Sequence, residues 1–239
     1  MGGLKISKKF KPLWTDDYDY AILTGGRGSS KSFSAGDFLE NLTFEPNHTI
    51  LFSRYTLSSA HLSVIPEFLE KIEIEGHLKY FRTTKTELEN ILTGSKVIFR
   101  GIKTSSGVQT ANLKSIQNLS TWVVDEAEEL TDPDIFDKID ESVRAKKVKN
   151  RVILILNPAM KTHWIYERFF ESAGVQEGFN GIKDGVLYIH TTYLDNKDNL
   201  SDKFIKKVER LRDTNPDKYK HRILGGWLDR PEGVILTNW

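Results

Sequence analysis

Lys31, Ser32, Asp125 and Glu126 are the residues of this chain whose types and settings point most directly to chemistry. Lys31 and Ser32 close the run Gly25-Gly26-Arg27-Gly28-Ser29-Ser30-Lys31-Ser32, which fits the phosphate-loop frame G-x-x-x-x-G-K-[ST] except that Ser30 replaces the second glycine. Gly25, Gly26 and Gly28 permit positive φ, so successive backbone N–H groups can turn inward around phosphate oxygens. Lys31 would reach the β- and γ-phosphates of ATP, Ser32 would ligate Mg²⁺, and the following helix N-terminus adds its dipole. The plain alternative is a glycine-rich turn ahead of an amphipathic helix. The order strand, loop, helix is what favours the nucleotide site.

Thr121-Trp122-Val123-Val124-Asp125-Glu126 is an apolar strand ending in two carboxylates. Burying carboxylates there is costly unless they bind something. A phosphate loop needs one carboxylate for the Mg²⁺ shell and one to polarise an attacking water; Asp125 takes the first role and Glu126, as general base, the second. Glu128, Glu129 and Asp132 follow, so an acidic helix cap is the competing reading for this run taken alone. With a phosphate loop about 95 residues earlier the metal-and-base reading prevails. The adjacent glutamate favours ATP hydrolysis over a kinase, which needs no water-activating base.

Asn157 ends a third apolar run, Ile153-Leu154-Ile155-Leu156-Asn157-Pro158. Ligands of open α/β sheets gather at the carboxyl ends of strands, where an amide can bond the attacking water or the γ-phosphate; an ordinary Asn-Pro turn is the alternative. Arg27 lies inside the loop, within reach of the phosphates of its own subunit, whereas Arg54 or Arg144 could act on a neighbouring subunit as an arginine finger.

The elements that must position these residues follow from periodicity. Strands are expected over 20–23, 49–53, 79–83, 87–92, 96–100, 120–124, 151–156 and 186–191. Helices are expected over 33–42, 58–74 with a kink at Pro66, from Asp132-Pro133 to near Arg144, and over 163–170, 201–212 and 217–224. A loop is expected at 103–110. The alternation of strands and helices implies an α/β fold with a mainly parallel sheet covered on both faces.

Composition sets the bounds. With 239 residues, 38% hydrophobic, five Trp and thirteen Phe, the chain can build a large core and is not disordered. A net charge of +1 leaves any nucleic-acid contact to local patches. The absence of cysteine excludes disulfides and thiolate metal sites. The basic start lacks an apolar stretch for a signal peptide, and the longest apolar run, residues 152–156, is far too short to span a bilayer, so a soluble intracellular protein without membrane contact is expected.

Together, the Gly-Gly-Arg-Gly-Ser-Ser-Lys-Ser loop, the block Trp122 to Leu130 and Leu156-Asn157-Pro158 resemble the ATPase domain of phage terminase large subunits. Similarity continues in Phe99-Arg100-Gly101, Leu113-Lys114-Ser115, His190-Thr191-Thr192-Tyr193 with Asn196, and Leu224-Gly225-Gly226-Trp227. The resemblance implies a P-loop NTPase of the additional-strand (ASCE) type, with the strand ending at Asn157 between the phosphate-loop strand and the Asp125-Glu126 strand. It implies a motor that drives double-stranded viral DNA into a procapsid in the host cytoplasm, as a homo-oligomeric ring, with the portal protein and the small terminase subunit as partners. Asn157 would then couple hydrolysis to movement, and Arg27 would match the family's loop arginine.

The expected organisation is a leader at 1–18, an ATPase domain at 19–230 and a linker at 231–239. Family members continue into a metal-dependent nuclease domain, so an ATPase fragment without nuclease activity is expected. Another ASCE motor such as a helicase, or a nucleotide-gated docking module with vestigial hydrolysis, are the alternatives. The helix from Ser201 and the stretch Arg144, Lys146, Lys147, Lys149, Arg151 could meet DNA phosphates or simply be solvated basic faces. His190 has no partner at metal-ligand spacing and reads as structural.

Overall fold

The computed structural model describes residues 6–57, 62, 64–104, 107–108 and 110–229. In chain order the elements are α1 (Pro12–Thr15), β1 (Tyr20–Gly25), α2 (Lys31–Thr43), β2 (Thr49–Thr56), α3 (Val64–Ile74), β3 (Phe81–Thr83), β4 (Glu87–Asn90), β5 (Lys96–Thr104), β6 (Gly107–Val108) and α4 (Thr110–Lys114). They continue with β7 (Leu119–Asp125), α5 (Pro133–Asp140), β8 (Arg151–Leu156), α6 (Trp164–Tyr166), β9 (Gly181–Lys183), β10 (Val186–Thr191), α7 (Asp202–Thr214) and α8 (Pro216–Arg222).

The strands form one sheet in the order β3-β4-β5-β2-β7-β8-β1-β10-β9, with β6 folded back onto β5. From β5 to β10 every neighbouring pair is parallel. β8 lies between β1 and β7, the additional-strand arrangement that the resemblance implied. The central strands read as unbroken apolar runs because both faces are covered; all seven residues of β7 are buried. One face carries Leu23, Phe52, Val123 and Ile155 against Phe38 and Leu39 of α2 and Phe68 of α3. The other carries Trp122, Leu154 and Tyr188 against Phe136 of α5 and Trp164 of α6. Trp122 stacks on Phe136 at 5.2 Å, and its indole N–H donates to Ser53 Oγ at 2.9 Å, so the largest core side chain is also polar-satisfied.

Several boundaries differ from the sequence expectation, each for a local reason. β1 runs on to Gly25, because Thr24 and Gly25 still pair with His190 and Thr191. α2 begins at Lys31 rather than at residue 33, as Ser30 turns into the left-handed region at φ 62 and the helix starts at once. Pro66 does not kink α3: it is the third residue of the helix, where its missing N–H has no partner to lose. Residues 58–61 and 63 of that expected helix lie outside the described residues.

β5 continues to Thr104 and pairs with β6 where a loop was expected. The helix expected to reach Arg144 stops at Asp140, since the chain turns so that Arg144 N donates to Leu119 O at the start of β7. The helix from His163 keeps one α turn and then widens, Ser172 N bonding Glu167 O five residues back. β9 was not expected; Asp184-Gly185, both at positive φ, form the tight turn that pairs it with β10.

The leader residues Phe10, Leu13 and Tyr18 are buried in the α2 face of the core. The expected linker at 231–239 lies outside the described residues. No helix among the described residues is long and apolar enough to cross a membrane.

Candidate functional site

The site forms where β1, β2, β7 and β8 all end on the same edge of the sheet. Residues 26–33 line a cleft of ≈ 230 Å³ together with Arg54, Asp125, Glu126, Ile155, Leu156 and Asn157. Every loop residue from Gly26 to Ser32 therefore faces one space with both carboxylates and the amide; Gly25, at the end of β1, anchors the loop behind it.

The loop's shape comes from its small residues. Gly25 at φ 151 and Gly28 at φ 81 take the positive values expected of them, and Ser30 takes a third. Gly26 does not, which corrects the expectation for it. Its lack of a side chain is required by packing instead, since a Cβ there would sit 1.9 Å from Ile223 O. Gly225, itself at φ 75, presses on the same place: a Cβ on it would meet the Gly25 backbone at 2.5 Å. Arg27 N donates to Arg222 O at 2.9 Å. Thus the segment after α8, which the sequence marked only as a block of the family resemblance, forms the outer wall of the loop. The Gly225-Gly226 pair was the available signal.

Lys31 is buried at 7% exposure. Its ammonium donates to Gly25 O at 2.8 Å, Gly26 O at 3.2 Å, Ser29 Oγ at 3.1 Å and Asn157 Oδ1 at 3.2 Å. Burial pulls its pKa down from 10.5 to about 8, against the opposing charges of Glu128 and Asp125. An ammonium held by uncharged oxygens suits a polyphosphate, whose charge would replace those weaker partners.

Ser32 Oγ donates to Asp125 Oδ1 at 2.8 Å. A hydroxyl and a carboxylate held side by side are a hard oxygen pair, and these two residues fit Mg²⁺ as its protein ligands. Asp125 is 2% exposed, and its other oxygen accepts from Arg54 Nε at 2.9 Å and from the Arg54 terminal nitrogen at 2.6 Å. Arg54 Nε also lies 3.8 Å from Glu126 Oε2. Glu126 sits in the left-handed region at φ 55, a conformation costly for a non-glycine residue and found where function holds it. That turn swings its half-exposed carboxylate into the cleft while Asp125 stays buried. Burial raises its pKa, with Arg54 opposing.

Asn157 accepts from Lys31 through Oδ1 and donates its amide nitrogen to Glu128 Oε1 at 3.0 Å, while its backbone N–H donates to Glu128 Oε2 at 3.2 Å. Glu128 was read from sequence only as a member of an acidic run. The Arg27 side chain is exposed, lines the cleft and pairs with no carboxylate among the described residues.

Arg54 turns out to face its own subunit's carboxylates, and Arg144 lies at the opposite end of β7 from Asp125. In the basic stretch 144–151, Lys149 is tied to Asp17 and Asp19, and Arg151 lies over the Tyr18 and Phe38 rings. His190 bonds Thr24 Oγ1 through Nδ1 at 2.9 Å inside the sheet, in keeping with a structural role.

A family profile described as phage terminase large subunit matches residues 17–226. The chain belongs to the phage terminase large subunit family. Among curated relatives, the PBSX phage terminase large subunit of Bacillus subtilis (strain 168) is 26% identical over 231 residues, covering 90% of this chain and 52% of that protein. The chain spans about half the length of the curated relatives it matches. Among solved structures, the large terminase of a thermophilic bacteriophage in complex with ADP superposes with a TM-score of 0.69 at 18% identity, covering 94% of this chain and 54% of that one. A mutant of the large terminase ATPase domain of a Thermus phage gives a TM-score of 0.66 at 16% identity, covering 94% of this chain and 95% of that one. These terminase neighbours share the fold, an α/β ASCE sheet.

Proposed function

We propose that this terminase-family chain binds ATP with Mg²⁺ in the cleft and hydrolyses it to ADP and phosphate. One observation carries the reading: Lys31 and Ser32 at the start of α2, Asp125 and Glu126 at the end of β7 and Asn157 after β8 line a single cleft. Lys31 and the loop N–H groups hold the β- and γ-phosphates, and Ser32 with Asp125 hold the metal. Bound there, Mg²⁺ would neutralise charge on the leaving phosphate oxygens. Glu126 accepts a proton from the attacking water as the bond from the γ-phosphorus to the ADP oxygen breaks. Arg27, free of carboxylate partners among the described residues, meets the phosphates from the same subunit.

Family membership supports the larger reading, in which residues 19–230 are the ATPase domain of a motor moving double-stranded viral DNA into a procapsid in the host cytoplasm. The motor works as a ring, with portal protein and small terminase subunit as partners. The exposed cations of α7 are the surface better suited to DNA phosphates, because Lys149 and Arg151 of the other basic stretch are engaged internally.

Phosphate release with and without duplex DNA tests the reading. Glu126→Gln should lower turnover by about 10²–10⁴-fold while ADP affinity holds, the usual size of a general-base loss. Undiminished turnover would remove Glu126 from that role. Strand separation on a tailed duplex would instead favour a helicase, and nucleotide binding without hydrolysis in any assembly state would favour a docking module.

A further inference from the structure

We propose that Glu128 is a positioning residue that fixes which atom Asn157 presents to the phosphate loop. The inference rests on the hydrolysis reading for its kinetic consequence, and on geometry alone for the orientation. Glu128 belongs to a single tight turn, Ala127–Glu129, that directly follows Glu126. Glu129 N bonds Glu126 O at 2.9 Å and Leu130 N bonds Ala127 O at 3.1 Å, while Ala127 and Leu130 are wholly buried on either side. The backbone under Glu128 is therefore held by the core, and its side chain crosses from the end of β7 to the end of β8.

There the carboxylate takes the backbone N–H of Asn157 on Oε2 and one of its two carboxamide N–H groups on Oε1. An ionised carboxylate only accepts. The Asn157 amide nitrogen must then face Glu128, and Oδ1 must face Lys31, whose ammonium it meets at 3.2 Å. Turning the amide over would set oxygen against oxygen on one side and N–H against ammonium on the other. On the side that faces Lys31 and the loop, the amide therefore presents its oxygen, which accepts, rather than a donor for a γ-phosphate oxygen. Once phosphates draw Lys31 away, Oδ1 is a ready acceptor for a water O–H next to Glu126.

Four variants test this: Glu128→Ala, Glu128→Gln, Asn157→Ala and the Glu128→Ala/Asn157→Ala double. Glu128→Ala is expected to lower kcat by about 10–100-fold, the size typical of losing a partner that orients an active-site ligand, with ADP affinity held within about threefold. Glu128→Gln keeps the shape but sets its own NH₂ against an Asn157 N–H, so it should fall as far as Glu128→Ala. In the Asn157→Ala background, Glu128→Ala should add less than about twofold, since coupled residues do not add.

Independently of turnover, the Asn157 carboxamide ¹H–¹⁵N pair, identified by its loss in Asn157→Ala, should shift in both Glu128 variants. Multiplying losses in the double variant, a Glu128→Gln protein that behaves as wild type, or an unmoved Asn157 amide would each overturn the proposal. A wild-type protein that does not hydrolyse ATP yet shows the amide shift would sink the hydrolysis reading and keep the positioning.

Discussion

Arg54 grips Asp125 from the side opposite Ser32, with two N–H groups on Oδ2 at 2.6 and 2.9 Å. The carboxylate assigned to the metal is thus neutralised by a guanidinium from the end of β2. A cation entering beside Ser32 meets an Asp125 whose charge is already matched.

This arrangement predicts opposite signs for stability and metal dependence in Arg54→Ala. Removing one partner of a buried pair leaves an uncompensated charge and should destabilise the fold by about 3–5 kcal/mol. Mg²⁺, taking the place of the guanidinium as a counter-charge beside Asp125, should recover part of that loss. Thermal unfolding with and without Mg²⁺ measures both; a smaller Mg²⁺ response in the variant than in the wild type would contradict the competition between guanidinium and metal.

Nucleotide affinity should fall as pH rises through about 8. Without nucleotide, burial holds the Lys31 pKa at about 8, so the ammonium gives way to the amine above that value. Phosphates favour the charged form and raise the pKa on binding. Binding therefore takes up a proton in the window above pH 8, and affinity drops there. Calorimetric titration in buffers of different ionisation enthalpy reads the uptake directly. An affinity independent of pH between 7 and roughly 10 would show that Lys31 stays charged throughout.

Ser30 holds φ 62 without the freedom of glycine, where the phosphate-loop frame carries one. Left-handed backbone costs a non-glycine residue roughly 1–2 kcal/mol. Glycine loses more entropy on folding, which offsets part of the gain. Ser30→Gly should accordingly stabilise the protein, by up to about 1 kcal/mol in urea unfolding, with ADP affinity unchanged. A loss of stability would mean that the Ser30–Ser34 hydroxyl contact at 3.4 Å matters more than the backbone.

Gly225→Ala should damage the phosphate loop from the far end of the chain. The new methyl would meet Gly25 backbone atoms at 2.5 Å, and Gly225 already requires φ 75. Overpacking of about 1–3 kcal/mol is expected, together with weaker ADP binding. Guanidinium unfolding and nucleotide titration check the two effects. Wild-type affinity in a destabilised variant would separate the wall from the site.

Much of the site was readable in advance because its parts are local. In residues 25–32 the glycines, the lysine and the helix start are neighbours in the chain, so the loop and the ligand class proposed for it follow from adjacent residues. Asp125 and Asn157 mark the ends of buried apolar runs, and strand ends on a parallel sheet fall on one edge whatever the strand order. The same logic made the sheet class legible. It misjudged helix starts and stops where caps, not periodicity, decide: Ser30 before α2, and the turn after Asp140. It missed β9, three residues long, although Asp184-Gly185 announced its turn.

From the sequence by itself came the phosphate loop, the carboxylate pair, the parallel sheet and, through the blocks along its length, the family. Tertiary structure alone decided the partners: Arg54 with Asp125, Glu128 with Asn157, and Gly225 against Gly25. The reason is physical. Glycine φ, helix starts and apolar runs are set by each residue and its chain neighbours, whereas these contacts join residues whose distance apart is fixed only when the strands lie side by side and the segment after α8 folds back onto β1. Arg54 and Asp125 are 71 residues apart, and no pattern in the chain between them selects that pair over another arginine and another carboxylate.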